Sequence, residues 1–447
     1  MTTLHFAEAM LPEGWARDVR VTVADGVIAS VEKGVAARGG DERHAAALPG
    51  MPNLHSHAFQ RGMAGLAEAA GPGDDSFWTW REVMYLFAAR VSPDDLAAIA
   101  AMAYAEMLET GFTRVGEFHY LHHAPDGAPY ADRAAMSAAI VAAAGETGIA
   151  LTHLPVFYAH GGFGGTPLGE RQARFGHDLD GFARLLDGAR AACATLPDAV
   201  VGVAPHSLRA VTPEELAALE AMAPGAPVHI HIAEQVREVE DCLAWSGARP
   251  VEWLLDHAAV DARWCLVHAT HMTAEETERL ARSGAVAGLC PITEANLGDG
   301  IFPAVAFVAA GGRYGVGSDS NVLIDAAEEL RLLEYGQRLQ RRGRNLLGRG
   351  GSTGDALWRG AVAGGARALG AASGIAVGNA ADIVSLDRDH PAFVAREGAA
   401  LADALVFARG ALDCVWRRGA KVVSGGRHAA RDRVARRYAE TLQRLLA

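Results

Sequence analysis

Alternating apolar and polar positions predict β structure at both ends of the chain. Residues 19–33 read VRVTVADGVIASVEK, two alternating runs separated by an Asp-Gly pair, which is typical of a tight hairpin turn. Residues 380–387 and 413–426 show similar short runs joined by turns that contain glycine. We therefore expect residues 1–48 and 372–430 to form one small β-sandwich domain built from both chain ends.

Between these ends, short β-rich segments alternate with stretches rich in Ala, Leu and Glu that repeat with the period of a helix. This alternation is typical of βα units around a parallel sheet, and the number of units approaches eight. We expect an α/β fold, with a (β/α)8 TIM-like barrel over residues 49–371 and a C-terminal helix over residues 431–447. The expected strands end near residues 57, 119, 157, 207, 233, 269, 291 and 319, and the expected helices include 93–109, 132–146, 213–222, 274–282 and 325–340.

Composition indicates a folded protein without a nucleic-acid or membrane partner. Of the 447 residues, 50% are hydrophobic and 21% are charged, a balance that supports a large core. The net charge of −12 and the shortness of the basic runs argue against attraction to nucleic acid. Because no apolar run is long enough to span a membrane and no signal-peptide pattern opens the chain, we expect a cytoplasmic protein.

Histidines and one aspartate fall where the barrel strands are expected to end, and in such barrels these ends carry the chemistry. His55 and His57 share a face of the first strand because side chains alternate with period two. In the fifth strand we interpret His231 as a ligand and His229 as a packed interior residue. Asp319 follows the eighth strand. Three histidines and one aspartate suit zinc or iron(II) better than calcium or magnesium.

Two further side chains are placed to move protons beside this ion. Glu234 lies three residues after His231, where the strand gives way to a loop, and it can reach bound water without being a ligand. His268 ends the sixth strand. Taken singly, Glu234 could equally be a solvated carboxylate and a His-x-His pair is weak evidence; the hypothesis depends on the whole set.

Together these features resemble the amidohydrolase superfamily, and the resemblance covers essentially the whole chain. It implies a β domain assembled from both termini. Binuclear members bridge two metals with a carboxylated lysine in the barrel, but the only lysines here, Lys33 and Lys421, lie outside it. The resemblance therefore implies a mononuclear, deaminase-like site with one Zn²⁺ per subunit, Fe²⁺ being the alternative.

Longer strings are similar to the formimidoylglutamate deiminase family within that superfamily. They are HSHAFQRGMAG (55–65), GEFHYLHH (116–123), APHSLRAV (204–211), HIHIAEQ (229–235), LVHATH (266–271), LCPITEANLGDG (289–300) and GSDSN (317–321). The resemblance implies zinc-dependent hydrolysis of N-formimidoyl-L-glutamate to N-formyl-L-glutamate and ammonia, in histidine degradation, by a homodimer.

Carried over position by position, the resemblance implies a role for each matching residue. It implies that His55, His57, His231 and Asp319 hold the metal, that Glu234, His268 and Asp319 are catalytic, and that Gln60, Arg81, Tyr120, His206 and Arg209 bind substrate. The substrate has two carboxylates, and a buried site must pair them with cations. Arg209 and Arg81 are of the right type, since arginine binds carboxylates in a bidentate manner.

Three alternatives stay open. The aromatic segment FWTWREVMYLF (77–87) is either a lid over the pocket or packed core. The enzyme could be another mononuclear deaminase, acting on a purine, pterin or adenosyl compound, which would not need two arginines in the pocket. A non-catalytic barrel used as a scaffold is the third alternative, although such proteins usually lose metal ligands.

Overall fold

The computed structural model describes residues 2–71 and 73–447, and its strands form two sheets. In chain order the strands are β1 (Thr2–Leu11), β2 (Gly14–Ala24), β3 (Val27–Glu32), β4 (Glu42–Pro49), β5 (Met51–Ser56), β6 (Phe112–His119), β7 (Ala150–Phe157), β8 (Val200–Val201), β9 (Ala204–Pro205), β10 (Val228–Ile232), β11 (Trp264–His268), β12 (Val286–Leu289), β13 (Arg313–Val316), β14 (Ile383–Leu386), β15 (Leu412–Arg417), β16 (Ala420–Ser424) and β17 (Arg427–His428).

Helices connect these strands and cover the second sheet. They are α1 (Phe77–Ala88), α2 (Pro93–Glu109), α3 (Ala135–Thr147), α4 (Leu179–Cys193), α5 (Pro213–Met222), α6 (Val236–Ser246), α7 (Pro250–His257), α8 (Ala274–Ser283), α9 (Pro291–Leu297), α10 (Ala304–Ala309), α11 (Ala326–Arg341), α12 (Thr353–Ala368), α13 (Ala399–Phe407) and α14 (Arg431–Leu446). Short 3-10 helices lie at Ala58–Met63, Glu170–Gln172 and Pro391–Phe393.

Both chain ends contribute to one small sheet, as the sequence predicts. Its order is β17-β16-β15-β14-β4-β1-β2-β3, and β14 joins the two ends by pairing antiparallel with β4. The sheet folds back on itself, because Val27 at the start of β3 bridges to Ala380, just before β14. Apolar side chains such as Phe6, Val21 and Trp416 fill the space it encloses.

The second sheet is the expected parallel barrel, in the order β10-β11-β12-β13-β5-β6-β7-β8, with β9 paired to β7. Bridges from Val203 to Val228 and from Ser207 to His231 close it against β10. The fourth strand position is split into β8 and β9 at Gly202, where a Cβ atom would lie 2.5 Å from the carbonyl oxygen of Pro227.

The helix boundaries follow the capping signals in the sequence. Ser92 and Thr212 each accept a backbone N–H with the side-chain hydroxyl and are followed by proline, which begins α2 and α5 at the predicted residues. The predicted helix 132–146 begins later, at Ala135. The reason is that the Asp132 carboxylate accepts the N–H of Ala134, which forms a turn ahead of the helix.

The stretch 372–430 contains more than sheet strands. Helix α13 lies within it and packs against α12 of the barrel. The domain boundaries proposed from the sequence therefore stay a prediction. Across the described ranges 2–71 and 73–447, no helix is long and apolar enough to cross a membrane.

Candidate active site

Four donor groups meet at the mouth of the barrel, from the ends of β5, β10 and β13. The Nε2 atom of His55 lies 3.2 Å from that of His57 and 3.0 Å from that of His231. Asp319 Oδ1 lies 3.2 Å from His57 Nε2 and 3.5 Å from His55 Nε2. Donors arranged tetrahedrally around zinc are separated from one another by about 3.4 Å. The separations are close to this value and all four donor atoms lie within 4.8 Å of one another, so the set fits one divalent ion.

The ring hydrogen bonds of these histidines select the form that binds a metal. His57 Nδ1 donates to the carbonyl oxygen of Phe118 at 2.8 Å, and His231 Nδ1 donates to that of His206 at 3.1 Å. Because a carbonyl oxygen only accepts, each Nε2 keeps a free lone pair. Burial lowers the pKa of His55 to about 3, so this ring is neutral at physiological pH.

A polar network fixes β13 against β5 beneath the donors. The amide of Asn53 donates to Ser318 Oγ at 2.7 Å and accepts the N–H of Ser318 at 3.0 Å. The amide of Asn321 donates to the carbonyl oxygen of His57 at 3.1 Å. At Gly317 a Cβ atom would lie 2.6 Å from the carbonyl oxygen of His55, so only glycine allows this approach.

Glu234, His268 and Asp319 form a second group beside the donors. His268 Nε2 lies 3.8 Å from Glu234 Oε1 and 3.7 Å from Asp319 Oδ2. Burial raises the pKa of Glu234 to about 7, although His268 opposes it. Burial lowers the pKa of His268, but Glu234 and other carboxylates outweigh it and hold that pKa well above the usual value. Near neutral pH a proton can thus reside on either side chain.

Sharp backbone turns place these groups directly after their strands. Ala233, His268 and Asp319 have φ of 50°, 67° and 45°, in the left-handed region that side chains other than glycine seldom adopt. Such strained residues persist only where their surroundings determine them, and they cluster at functional sites.

A pocket opens above the donor groups and brings the predicted site residues together. Ten of the eleven line it, whereas His55 is fully buried beneath them. The lining residues are His57, Gln60, Phe77, Trp80, Arg81, Met84, Tyr85, Tyr120, Tyr158, Phe175, His206, Arg209, His231, Glu234, His268, Leu297 and Asp319.

Two arginines face this pocket without a carboxylate partner among the described residues. The Nε atoms of Arg81 and Arg209 are both buried and hydrogen-bonded to nothing in the described chain. The Arg81 guanidinium lies over the ring of Trp78, 4.6 Å from its centre. Both side chains are half-buried, and a buried N–H donor on a cation is costly unless a hydrogen-bond acceptor pairs with it. The pocket is thus suited to an anionic ligand.

The remaining predicted substrate residues lie between the arginines and the donor cluster. Gln60 Nε2 donates to the Tyr120 hydroxyl at 2.8 Å, which leaves the buried Gln60 Oε1 without a partner. The Tyr120 ring lies 5.0 Å from that of His57, and the His206 ring lies 4.9 Å from that of His231.

The aromatic segment 77–87 is helix α1, and its inner face covers the pocket. Phe77, Trp80 and Met84 line the pocket, whereas Leu86 on the outer face is 62% exposed. The segment is therefore not simply buried core. Whether α1 opens as a lid stays a prediction.

Comparison with known proteins gives the chain its family. Residues 1–45 match a model described as the N-terminal domain of formimidoylglutamate deiminase HutF, and residues 46–422 match the amidohydrolase family model. A formimidoylglutamate deiminase from Pseudomonas aeruginosa is 52% identical to the chain over 100% of both sequences. The chain belongs to the formimidoylglutamate deiminase family of amidohydrolases.

Solved structures confirm the fold expected for this deiminase family. An amidohydrolase from Brucella melitensis is 56% identical and gives a TM-score of 0.98 over 100% of both chains. An adenosine deaminase from Xanthomonas campestris is 22% identical and gives a TM-score of 0.82 over 100% of this chain and 98% of that one. The second likeness shows a shared barrel fold only.

Within this deiminase fold, the sequence did not predict three acidic residues that contact the site or the residues next to it. Glu238 accepts the backbone N–H groups of Ala233 and Glu234 at 3.2 Å each. Glu294 Oε1 lies 3.2 Å from His268 Nδ1. Asp299 accepts a hydrogen bond from Gln235. Glu294 and Asp299 both lie in the string LCPITEANLGDG (289–300), which carries part of the family resemblance. That resemblance is the sequence signal that could have pointed to them.

Proposed function

We propose that the protein hydrolyses N-formimidoyl-L-glutamate to N-formyl-L-glutamate and ammonia. The observation that carries this proposal is the pair of unpartnered guanidiniums, Arg81 and Arg209, which share one pocket with the donor cluster. A substrate with two carboxylates would complete both. A neutral purine or pterin would leave the buried Nε–H groups of both half-buried arginines unpaired.

We further propose that His55, His57, His231 and Asp319 hold one Zn²⁺. Support comes from the ring hydrogen bonds that direct Nε2 of His57 and His231 at the other donors, and from donor separations of the size found around zinc. When bound, zinc supplies hydroxide at neutral pH by lowering the pKa of water from about 16 to roughly 7. Fe²⁺ could occupy the same donors.

The side chains beside the metal donors are suited to proton transfer. Glu234, with its pKa raised to about 7, takes a proton from the attacking water and delivers it to the imino nitrogen. It then transfers the hydroxyl proton of the tetrahedral intermediate to the same nitrogen, so that the C–N bond breaks and the nitrogen leaves as ammonia while the C=O bond forms. His268 presents Nε2 to the same space and steadies the charge that develops on the attacking oxygen.

The other polar groups hold the substrate in place. Arg209 and Arg81 pair with its two carboxylates, and bidentate contact fixes their direction as well as their distance. Gln60 accepts an N–H through its free Oε1. The aromatic walls exclude water around these contacts, which strengthens them.

An assay of ammonia release tests the substrate. The zinc-loaded protein should release ammonia from formimidoyl-glutamate but not from guanine or adenosyl-homocysteine. Activity on one of the latter alone would establish a different deaminase, and a protein that lacks stoichiometric metal and activity would be a scaffold.

The arginine pair is tested in the same assay. Arg209→Met should raise KM at least 100-fold while one metal per chain is retained, because a hydrogen bond to a charged group contributes about 3 kcal/mol or more when its loss strands a buried carboxylate. Arg263→Met, at a half-buried ion pair with Asp261 outside the pocket, is the matched control and should leave KM and metal content unchanged. An unchanged KM in Arg209→Met would exclude Arg209 from the substrate site.

The family resemblance also supports a homodimer in the cytoplasm. We include both in the proposal, to be tested by sedimentation and by cell fractionation.

A further inference from the structure

One side chain outside the pocket contacts His268 on the side away from the substrate. His268 Nδ1 lies 3.2 Å from Glu294 Oε1, whereas His268 Nε2 faces Glu234 and the pocket. The two nitrogens of this ring therefore have different surroundings. A carboxylate accepts hydrogen bonds and donates none, so Nδ1 must carry the proton.

Glu294 is itself held rigidly. Its Oε1 also accepts the N–H of Cys290 at 3.0 Å, and its own N–H donates to the carbonyl oxygen of Cys290 at 2.8 Å. It lies in the first turn of α9, where the helix dipole favours negative charge. Its side chain is 6% exposed. A buried carboxylate that the backbone N–H of Cys290 holds in place gives His268 Nδ1 a fixed acceptor.

The backbone of His268 does not fix the ring. His268 and Ala269 both adopt left-handed conformations, with φ of 67° and 47°, so the strand ends at this residue. Rotation about χ1 and χ2 is restrained only by the neighbours of the ring. Of the carboxylates near the ring, Glu294 alone contacts Nδ1; Glu234 and Asp319 lie at Nε2.

We propose that Glu294 is a positioning residue that accepts the Nδ1–H of His268 and so orients the ring with Nε2 toward the reacting atoms. The expected loss of kcat rests on the proposed function, whereas the orientation of the His268 ring by Glu294 does not. It gives the string CPITEANL a role, since the helix it forms carries Glu294 to the ring. Removing the carboxylate that orients an active-site histidine typically lowers activity by about 10- to 100-fold.

Two variants separate the contribution of the Glu294 charge from that of its hydrogen-bond acceptor. Glu294→Gln keeps the size and an accepting oxygen but removes the charge, so kcat should fall about 10-fold. Glu294→Leu removes the acceptor, and kcat should fall about 100-fold. In both, KM should stay within about twofold and one zinc per chain should remain, because Glu294 contacts neither the substrate nor a metal donor.

Glu329→Gln is the matched control. Glu329 is buried and accepts the N–H of Ile292 at 2.9 Å, so it supports the same helix without contacting His268. Its kcat should equal that of the wild type. An equal loss of kcat in Glu329→Gln and Glu294→Gln would overturn the proposal, since the effect would then come from the stability of α9.

A measurement independent of turnover completes the test. In the zinc-loaded protein with ¹⁵N-labelled histidine, the His268 signals, assigned by their loss in His268→Gln, should show protonated Nδ1. In Glu294→Leu the Nδ1–H signal should lose the shift that its hydrogen bond to a carboxylate causes, and if that variant fails to fold, a weaker Nδ1–H hydrogen bond in Glu294→Gln decides. Unchanged signals overturn the proposal. If the wild type releases no ammonia from formimidoyl-glutamate, the proposed function fails while this spectrum still tests Glu294.

Discussion

At the scale of single residues, the environment of Glu234 determines what its carboxylate does. Burial raises its pKa to about 7, which is near the value that general acid–base catalysis needs at neutral pH. A surface glutamate of ordinary pKa would take up a proton from water poorly. The same carboxylate can therefore act as base in the first step and as acid in the second.

The pH profile should show this carboxylate. Glu234 must be deprotonated to act as a base, so kcat/KM should rise as pH increases through its pKa. A bound metal cation favours the charged carboxylate, which puts the rising limb at or below about pH 7. Glu234→Gln should lower kcat by about 10²- to 10⁴-fold with zinc content intact. Steady-state kinetics from acid to neutral pH check both, and a kcat/KM that falls with rising pH in this range would contradict the assignment.

The sequence predicts the location of a site residue best when the residue lies on a strand, because its position along the strand decides which side its side chain faces. His55, His57 and His231 were predictable because alternation along a strand fixes the side that each faces. Glu294 and Glu238 were not, because they reach the site from helices α9 and α6, and only the packing of those helices brings them there.

At the scale of elements, α1 packs its inner face on the core and is held on its outer face by exposed contacts. It carries Arg81 and Met84 over the pocket, yet its outward contacts are exposed. They include an ion pair between Arg171 and Glu82 and the Arg237 guanidinium 4.9 Å from the ring centre of Trp78. Exposed pairs of this kind contribute little to stability.

The N-terminal cap of α1 should therefore affect substrate binding more than stability. Ser76 Oγ accepts the N–H of Trp78 at 3.3 Å, and Thr79 Oγ1 accepts the N–H of Ser76 at 3.0 Å. Ser76→Ala should cost α1 about 1 kcal/mol and raise KM about fivefold with little change in Tm.

The matched control is the cap of a helix that packs against the barrel away from the pocket. Ser92 Oγ accepts the N–H of Asp95 at 3.2 Å at the start of α2. Ser92→Ala should lower Tm and leave KM unchanged. The reverse result, a lower Tm in Ser76→Ala with unchanged KM, would show that α1 serves the fold rather than the pocket.

Element boundaries were predictable where a cap and a period coincide, as at α2 and α5, and less so elsewhere. For the segment 77–87 the sequence could not distinguish a lid from packed core. Aromatic residues with helical spacing can face either a pocket or the core. The split of the fourth strand at Gly202 depends on contact with Pro227, which is 25 residues away, and no local pattern encodes it.

At the scale of the whole molecule, two groups of buried histidines stand out. One group surrounds the metal donors. The other lies buried in and beside β6 and β7, and its ring centres are 5.0–5.8 Å apart along the series His153, His119, His122 and His177. The sequence placed His119 at a strand end like the site histidines, but its ring packs with this second group and does not line the pocket.

The second group should make the fold sensitive to acid. Burial lowers the pKa of His153 and of His177 to about 3 each, whereas unfolded histidine has a pKa near 6.5. Below about pH 6.5 the unfolded chain therefore binds more protons than the folded one. The free energy of unfolding is therefore unaffected by these histidines above about pH 6.5. It falls as pH decreases toward about 3, by roughly 1.4 kcal/mol per pH unit for each such histidine.

His153 allows the effect to be isolated. Its Nε2 is 3.0 Å from Ser137 Oγ and its Nδ1 has no partner among the described residues, so His153→Gln keeps a polar group for the serine and removes one titrating site. The slope of unfolding free energy against pH, measured by urea titration between pH 4.5 and 6, should decrease by about 1.4 kcal/mol per pH unit relative to wild type. Ser137→Ala, which removes the hydrogen bond but not the titration, should shift the free energy at every pH and leave the slope unaltered. Metal release in acid affects all three proteins equally, so it cancels in the comparison. An identical slope in His153→Gln would mean that this ring is already protonated in the folded protein at these pH values.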